Sequence, residues 1–167
     1  MTRDATNPDL VIDDDHELTV PTAALGRAVP VVTPESEPFW TGLARGEIVL
    51  LRCGACARYT YLPTPGCPWC GGADVAPEVV DGTGTLYSFT VCYTEFGPGL
   101  EAPYVVGIVA PTCEPEVRIV TNIVGCRVRD VRIGAAVTPC IVPTESGHLL
   151  LSRLLSVGRR EGGGDAR

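Results

Sequence analysis

Two pairs of cysteines restrict this chain more than any other feature: Cys53-Gly-Ala-Cys56, ten intervening residues, then Cys67-Pro-Trp-Cys70-Gly-Gly. A two-residue gap lets both thiolates of a pair reach one ion from a tight backbone knuckle. Two knuckles together supply the four sulfurs that tetrahedral zinc takes at about 2.3 Å. Gly54, Gly71 and Gly72 are expected to give the permissive backbone that turns amide N–H groups toward sulfur. With Cys53, Cys56, Cys67 and Cys70 filling every position, the ion keeps no open site for a substrate, so the spacing predicts one structural zinc per chain. Iron in a four-sulfur centre uses the same ligands, and the spacing leaves that open. A redox dithiol at Cys67-Pro-Trp-Cys70 alone would want a βαβ setting and would leave the upstream pair unexplained.

The rest of the chain divides around this centre. Residues 1–33 carry Pro8, Pro21, Pro30 and the run Asp13-Asp14-Asp15 without sustained periodicity, and read as a flexible acidic arm whose apolar piece Leu10-Val11-Ile12 could dock on a partner. At 34–47, Pro34 and Pro38 can open helical turns, Phe39, Trp40 and Leu43 share a face, and Gly46 is placed to stop an amphipathic helix. The metal ribbon occupies 48–80, with strands expected at Glu47–Arg52 and Val75–Val80. From 81 to 157 the pattern is β throughout. Thr85–Thr94 alternates, with Tyr87, Phe89, Val91 and Tyr93 expected on one face. Strands at Tyr104–Ala110, Val117–Val124, Ala136–Val142 and His148–Leu154 follow between Gly/Pro turns. Five such strands fit a small Greek-key barrel of the OB type. Residues 158–167, with Gly162-Gly163-Gly164, read as a disordered tail. The fold class is therefore mainly β: a short helix, a zinc ribbon and a five-stranded barrel.

Charge narrows the partners. The 167 residues carry a net charge of -7 and no lysine. Eight acids against two arginines lie within residues 1–37, and the remainder is nearly balanced, with 12 acids and 11 arginines. Binding a phosphate backbone needs a Lys/Arg-dense surface, so nucleic acid is not an expected partner. No stretch has signal-peptide character or membrane-spanning length, which points to a cytoplasmic chain without a membrane partner.

Catalytic machinery is hard to find. His16 and His148 lie in no ligand or triad spacing, and Cys92, Cys113, Cys126 and Cys140 read as small buried thiols in or beside strands. No phosphate loop, HExxH or GxSxG motif is present. No catalytic residue is assigned. Phe39, Trp40 and Leu43 stand on a helix too short to persist alone, so they need a surface, either within the chain or on a partner. Arg118, Arg127, Arg129 and Arg132 gather in and after the third barrel strand, where the bland reading is a solvated loop.

Taken in order, Phe39-Trp40-Thr-Gly-Leu-Ala-Arg-Gly46, the double CxxC, Gly84-Thr-Leu-Tyr-Ser-Phe-Thr90, Pro103-Tyr-Val-Val106, Thr121-Asn-Ile-Val-Gly-Cys126 and Asp130-Val-Arg-Ile-Gly134 resemble the DUF35 family. The resemblance covers about Pro38 to Leu155. It implies a helical segment, a rubredoxin-like zinc ribbon and an OB fold, acting as an accessory subunit of a thiolase-like acyltransferase or aldolase that handles acyl-CoA or related acyl thioesters. In such assemblies the partner holds the catalytic cysteine and histidine, and the resemblance makes Arg118, Arg127, Arg129 and Arg132 candidates to meet coenzyme A phosphates or a partner's acids. The arm before Phe39 is longer than the family's usual lead-in, and Cys113-Glu-Pro-Glu116 replaces an acidic glycine turn. A nucleic-acid-binding ribbon and OB module is the alternative reading of the same parts, opposed by the charge.

Overall fold

The computed structural model describes residues 2–3, 11–20, 26–27, 31–61, 65–97 and 99–155. Two expectations therefore fall wholly or partly elsewhere: the tail at 158–167, and the stretches of the arm at 4–10, 21–25 and 28–30. Short strands β1 (Thr2–Arg3), β2 (Val11–Ile12) and β3 (Glu17–Leu18) precede helix α1 (Glu37–Ala44). Next come β4 (Ile48–Cys53), β5 (Tyr59–Thr60) and β6 (Val75–Val80), which form one sheet in the order β5-β4-β6. Strands β7 (Gly84–Cys92), β8 (Tyr104–Pro111), β9 (Ile119–Val124), β10 (Cys126–Arg127), β11 (Ala136–Pro143) and β12 (His148–Leu154) complete the chain.

Five of these close a barrel in the order β11-β12-β9-β8-β7, with β7 returning to β11 through Ala136↔Thr85 and Val137↔Gly84. Every barrel pairing is antiparallel except β9 with β12, which run parallel at Ser152↔Ile123 and Arg153↔Val124. Closure matters physically because it leaves no unpaired sheet edge in the barrel. Leu86, Val105, Val109, Ile123 and Val137 fill the interior, each at most 3% exposed. Gly107 makes room for them: a Cβ there would lie 2.7 Å from Ile123 Cδ1 and 2.9 Å from Leu86 Cδ1.

Two expectations are corrected here. Strand β7 does not put Tyr87 on the same face as Phe89 and Val91. Its pairing with β8 shifts between Leu86 and Ser88, so an extra residue enters β7 and inverts the alternation. Leu86 is fully buried, Phe89 and Val91 pack against the core, and Tyr87 is 54% exposed. The second concerns the arm, part of which is built into the fold. Strand β3 pairs with β10 (Cys126↔Leu18, Arg127↔Glu17), and Leu18, only 5% exposed, belongs to the barrel core. Val20 packs against the neighbouring group of Val124, Val142 and Leu151. A segment with one inward leucine is too short for periodicity to show, yet it buries enough apolar surface to stay docked.

Helix α1 is shorter than 34–47. Pro38 stands in its first turn, and the Gly46 N–H closes it on the Leu43 carbonyl at 3.0 Å with φ of +78° at Gly46. Its packing face lies on β4, where a Cβ at Gly42 would meet Val49. The helix, the ribbon sheet and the barrel are thus in contact within one chain.

Candidate functional site

The ribbon carries the two CxxC knuckles at the end of β4 and in the loop before β6. Each knuckle closes in the same way: the fifth residue donates its N–H to the carbonyl of the first cysteine, Ala57 to Cys53 at 2.9 Å and Gly71 to Cys67 at 2.8 Å. Both fifth residues are left-handed, with φ of 60° at Ala57 and 75° at Gly71. Gly71 supplies the permissive left-handed backbone expected of it, although its N–H goes to the Cys67 carbonyl and not to sulfur, and Ala57, not Gly54, is its counterpart. Gly54 is small for a different reason, because the Asp74 carboxylate occupies the space a Cβ would need.

The four sulfurs of Cys53, Cys56, Cys67 and Cys70 all lie within 4.8 Å of one another. Cys53 Sγ and Cys70 Sγ are 3.7 Å apart, and Cys56 Sγ and Cys67 Sγ are 3.6 Å apart. A tetrahedron with metal–sulfur bonds of about 2.3 Å has edges of about 3.8 Å, so these separations suit one tetrahedral ion and are far too long for disulfides. The charge balance agrees. At Cys67, burial opposes ionisation, but the backbone N–H groups of Cys70 and Trp69 and the neighbouring thiols outweigh it and hold the thiol at about 7. At Cys56, the Arg58 N–H favours the thiolate, but burial and protons shared with Cys67, Cys70 and Cys53 push it up to about 12. A dication supplies the positive charge that lets all four ionise together.

Arg58, immediately beyond the first knuckle, ties the ribbon to the barrel. It stacks 3.6 Å over the Trp69 ring and donates from Nε and Nη2 to both oxygens of Glu114, each at 2.9 Å. Glu114 lies in the β8–β9 connection, is 8% exposed and has its carboxyl held below the usual range, first by the Arg58 hydrogen bonds. This contact explains the Cys113-Glu-Pro-Glu turn: Glu114 takes the inward position, and Cys113, expected to be buried, is exposed. Sequence reasoning missed the pair because 56 residues separate its members. Glu114→Gln is expected to cost about 1.5–3 kcal/mol, read as a lower urea midpoint at pH 7. Since the folded carboxyl titrates low, its contribution is complete above the ordinary carboxylate range and is lost as pH falls through the folded value. Glu114→Gln should therefore also flatten the acid limb of the stability profile.

The other candidates are distributed differently. Leu43 is 1% exposed and belongs to the chain's own core, so it is not available to a partner. Phe39 packs edge-on against Trp40 at 4.9 Å and Tyr61 at 5.3 Å, leaving Phe39 and Trp40 half-buried. The four arginines do not form one group. Arg118 precedes β9 and sits 3.9 Å over the Tyr87 ring, while Arg127 and Arg129 follow β9 and form ion pairs with Asp15 of the docked arm. Arg132 donates to the Arg129 carbonyl at 2.7 Å. Cys126 has its thiol pushed up to about 11, mainly by burial and further by Asp130, and so is protonated at neutral pH. Among the described residues no helix is long and apolar enough to cross a membrane.

Comparison with known proteins places both halves. The family profile described as "ChsH2, rubredoxin-like zinc ribbon domain" matches residues 40–76, and "ChsH2, C-terminal OB-fold domain" matches residues 78–142. A solved structure described as "Ltp2-ChsH2(DUF35) aldolase" is 30% identical, with a TM-score of 0.68 over 75% of this chain and 98% of that one. A DUF35 protein of unknown function from Sulfolobus solfataricus shares the fold at 20% identity, with a TM-score of 0.54 over 73% of this chain and 86% of its own. A "Probable enoyl-CoA hydratase alpha subunit" from Thermomonospora curvata is 33% identical over 111 residues, 66% of this chain; the chain spans only 34% of that protein's length. The chain belongs to the DUF35 family, with the rubredoxin-like zinc ribbon and OB-fold barrel of the ChsH2 type.

Proposed function

We propose that this chain is a non-catalytic subunit of a hetero-oligomeric acyl-CoA enzyme, partnered by a thiolase-like catalytic chain that performs aldol cleavage or acyl transfer. The observation that carries the reading is the 30% identity across 98% of a chain from a structure described as an "Ltp2-ChsH2(DUF35) aldolase". The site chemistry supports it. Four cysteine ligands complete a tetrahedral shell, so the ribbon metal supplies structure and not Lewis acidity. Arg58 and Glu114 hold the ribbon against the barrel, giving a partner one composite surface.

In this reading the partner contact is Trp40, supported by its half-buried position on α1, with Phe39 packed against it and Leu43 anchoring the helix from within. Aromatic anchors at interfaces commonly contribute 2 kcal/mol or more, so Trp40→Ala is expected to weaken a purified complex by about 30-fold or more while zinc content and barrel fold stay intact. Co-purification of the native chain followed by titration of the separated subunits measures both. If Trp40→Ala unfolds the isolated subunit, the aromatic is internal packing and the interface lies on the barrel strands. A chain that captures no thiolase-like protein would contradict the subunit reading itself.

A further inference from the structure

A groove crosses the outside of the barrel between the docked arm and α1. It has two lobes, one of about 360 Å³ lined by Leu18, Pro103 and Ile123, and one of about 310 Å³ lined by Val106, Val120 and Leu150. Arg27, Leu100, Tyr104, Asn122 and Leu151 line both, so the lobes meet at those residues. Its shape is that of a small-molecule site: long, mostly apolar, with a few polar groups at one place.

The polar centre is a half-buried cation. Arg27 Nη2 donates to Asn122 Oδ1 at 2.9 Å, and Asn122 is itself fixed because its Nδ2 donates to the Val105 carbonyl at 3.0 Å. Asn122 is neutral. Among the described residues the arginines in ion pairs are 45, 52, 58, 127 and 129, and Arg27 is not one of them. The two acids of the lining, Glu17 and Glu101, are exposed to solvent. Burial presses on the Arg27 guanidinium, lowering its pKa, with the nearby Tyr104 phenol acting the other way. A desolvated guanidinium held by one neutral amide retains donors suited to the planar, two-pronged acceptor that a carboxylate presents.

We propose that this groove is a binding site for an alkyl carboxylate, with the carboxylate on Arg27 and the hydrocarbon chain lying along Leu100, Val106, Val120 and Leu150. The site needs only this chain's own residues and does not depend on the partner reading. The arm supplies both the Arg27 head group and the Leu18 wall, so the site is a property of the longer lead-in.

Calorimetric titration of the zinc-loaded full chain with hexanoate, octanoate and decanoate, alongside octanol and octyl phosphate, tests it. Affinity should rise about fourfold per added methylene, the gain of burying one CH₂. Octanoate should bind at least tenfold more tightly than octanol, and raising KCl should weaken octanoate but not octanol. Arg27→Gln should bring octanoate down to the octanol level with zinc content and melting unchanged, and the uncharged Val120→Ser, at an exposed position of the lining, should weaken octanoate and octanol alike. The salt dependence on the unmutated chain keeps the test decisive if Arg27→Gln disturbs the fold. Octanoate and octanol binding equally, no salt effect, or no binding of decanoate would overturn the assignment. So would octyl phosphate binding more than tenfold tighter than octanoate, which would make the head group a phosphate.

Discussion

Cys67→Ser is expected to release the metal and unfold the ribbon, not merely lower an activity. Cys67 is 4% exposed and faces Cys56 across the centre at 3.6 Å, so its sulfur has no room to be replaced by solvent. Structural zinc contributes on the order of 10 kcal/mol or more to small domains, more than the whole stability of most folds. The ribbon has little else to stand on: its sheet has three strands, of which β5 is only two residues long and β6 is largely exposed. The damage should spread, because Leu50 of β4 is buried with Val117 and Ile119 at the base of β9, and because Arg58 holds Glu114. Elemental analysis should give one zinc per chain in the native protein and far less in the variant, with loss of the folded circular-dichroism signal. Chelation of the native protein should produce the same unfolding. A native preparation holding less than half an equivalent of metal with the ribbon and barrel still folded would contradict the assignment.

How much could be read in advance follows from which interactions are local. The CxxC spacing specifies its own geometry, because each knuckle is a five-residue turn whose closing hydrogen bond runs from Ala57 to Cys53 or from Gly71 to Cys67. Strand β12 was legible to the residue, His148–Leu154, because Glu145-Ser146-Gly147 marks its start. The barrel followed from strand count and spacing. What stayed hidden was non-local. The β7 irregularity is defined by the partner strand, since only pairing with β8 shows that Leu86 and Ser88 are out of step. Leu18 reads as one apolar residue in an acidic arm until β10 presents Cys126 opposite it. Leu43 looked like a surface anchor because helical spacing identifies a sticky face without saying whose surface it meets. The arginines after β9 looked free because their counter-ion, Asp15, lies more than a hundred residues earlier.

The second large effect concerns activity. The ribbon thiols are committed to metal, Cys126 is protonated at neutral pH, and a nucleophile needs an adjacent base to be activated. On the subunit reading proposed above, catalysis rests with the partner's residues and this subunit helps to position the substrate. Misplacing a substrate by about 1 Å costs roughly 100-fold in rate, so removing the subunit should lower partner turnover by at least that factor. The decisive measurement is turnover of acyl-CoA substrates, scored for acyl transfer, condensation and retro-aldol cleavage, by this chain alone, the co-purifying partner alone and the two recombined. Background turnover is expected for this chain alone and about 100-fold more for the recombined pair than for the partner by itself; robust turnover by the isolated chain, abolished by Cys126→Ala or Cys92→Ala, would contradict the subunit assignment.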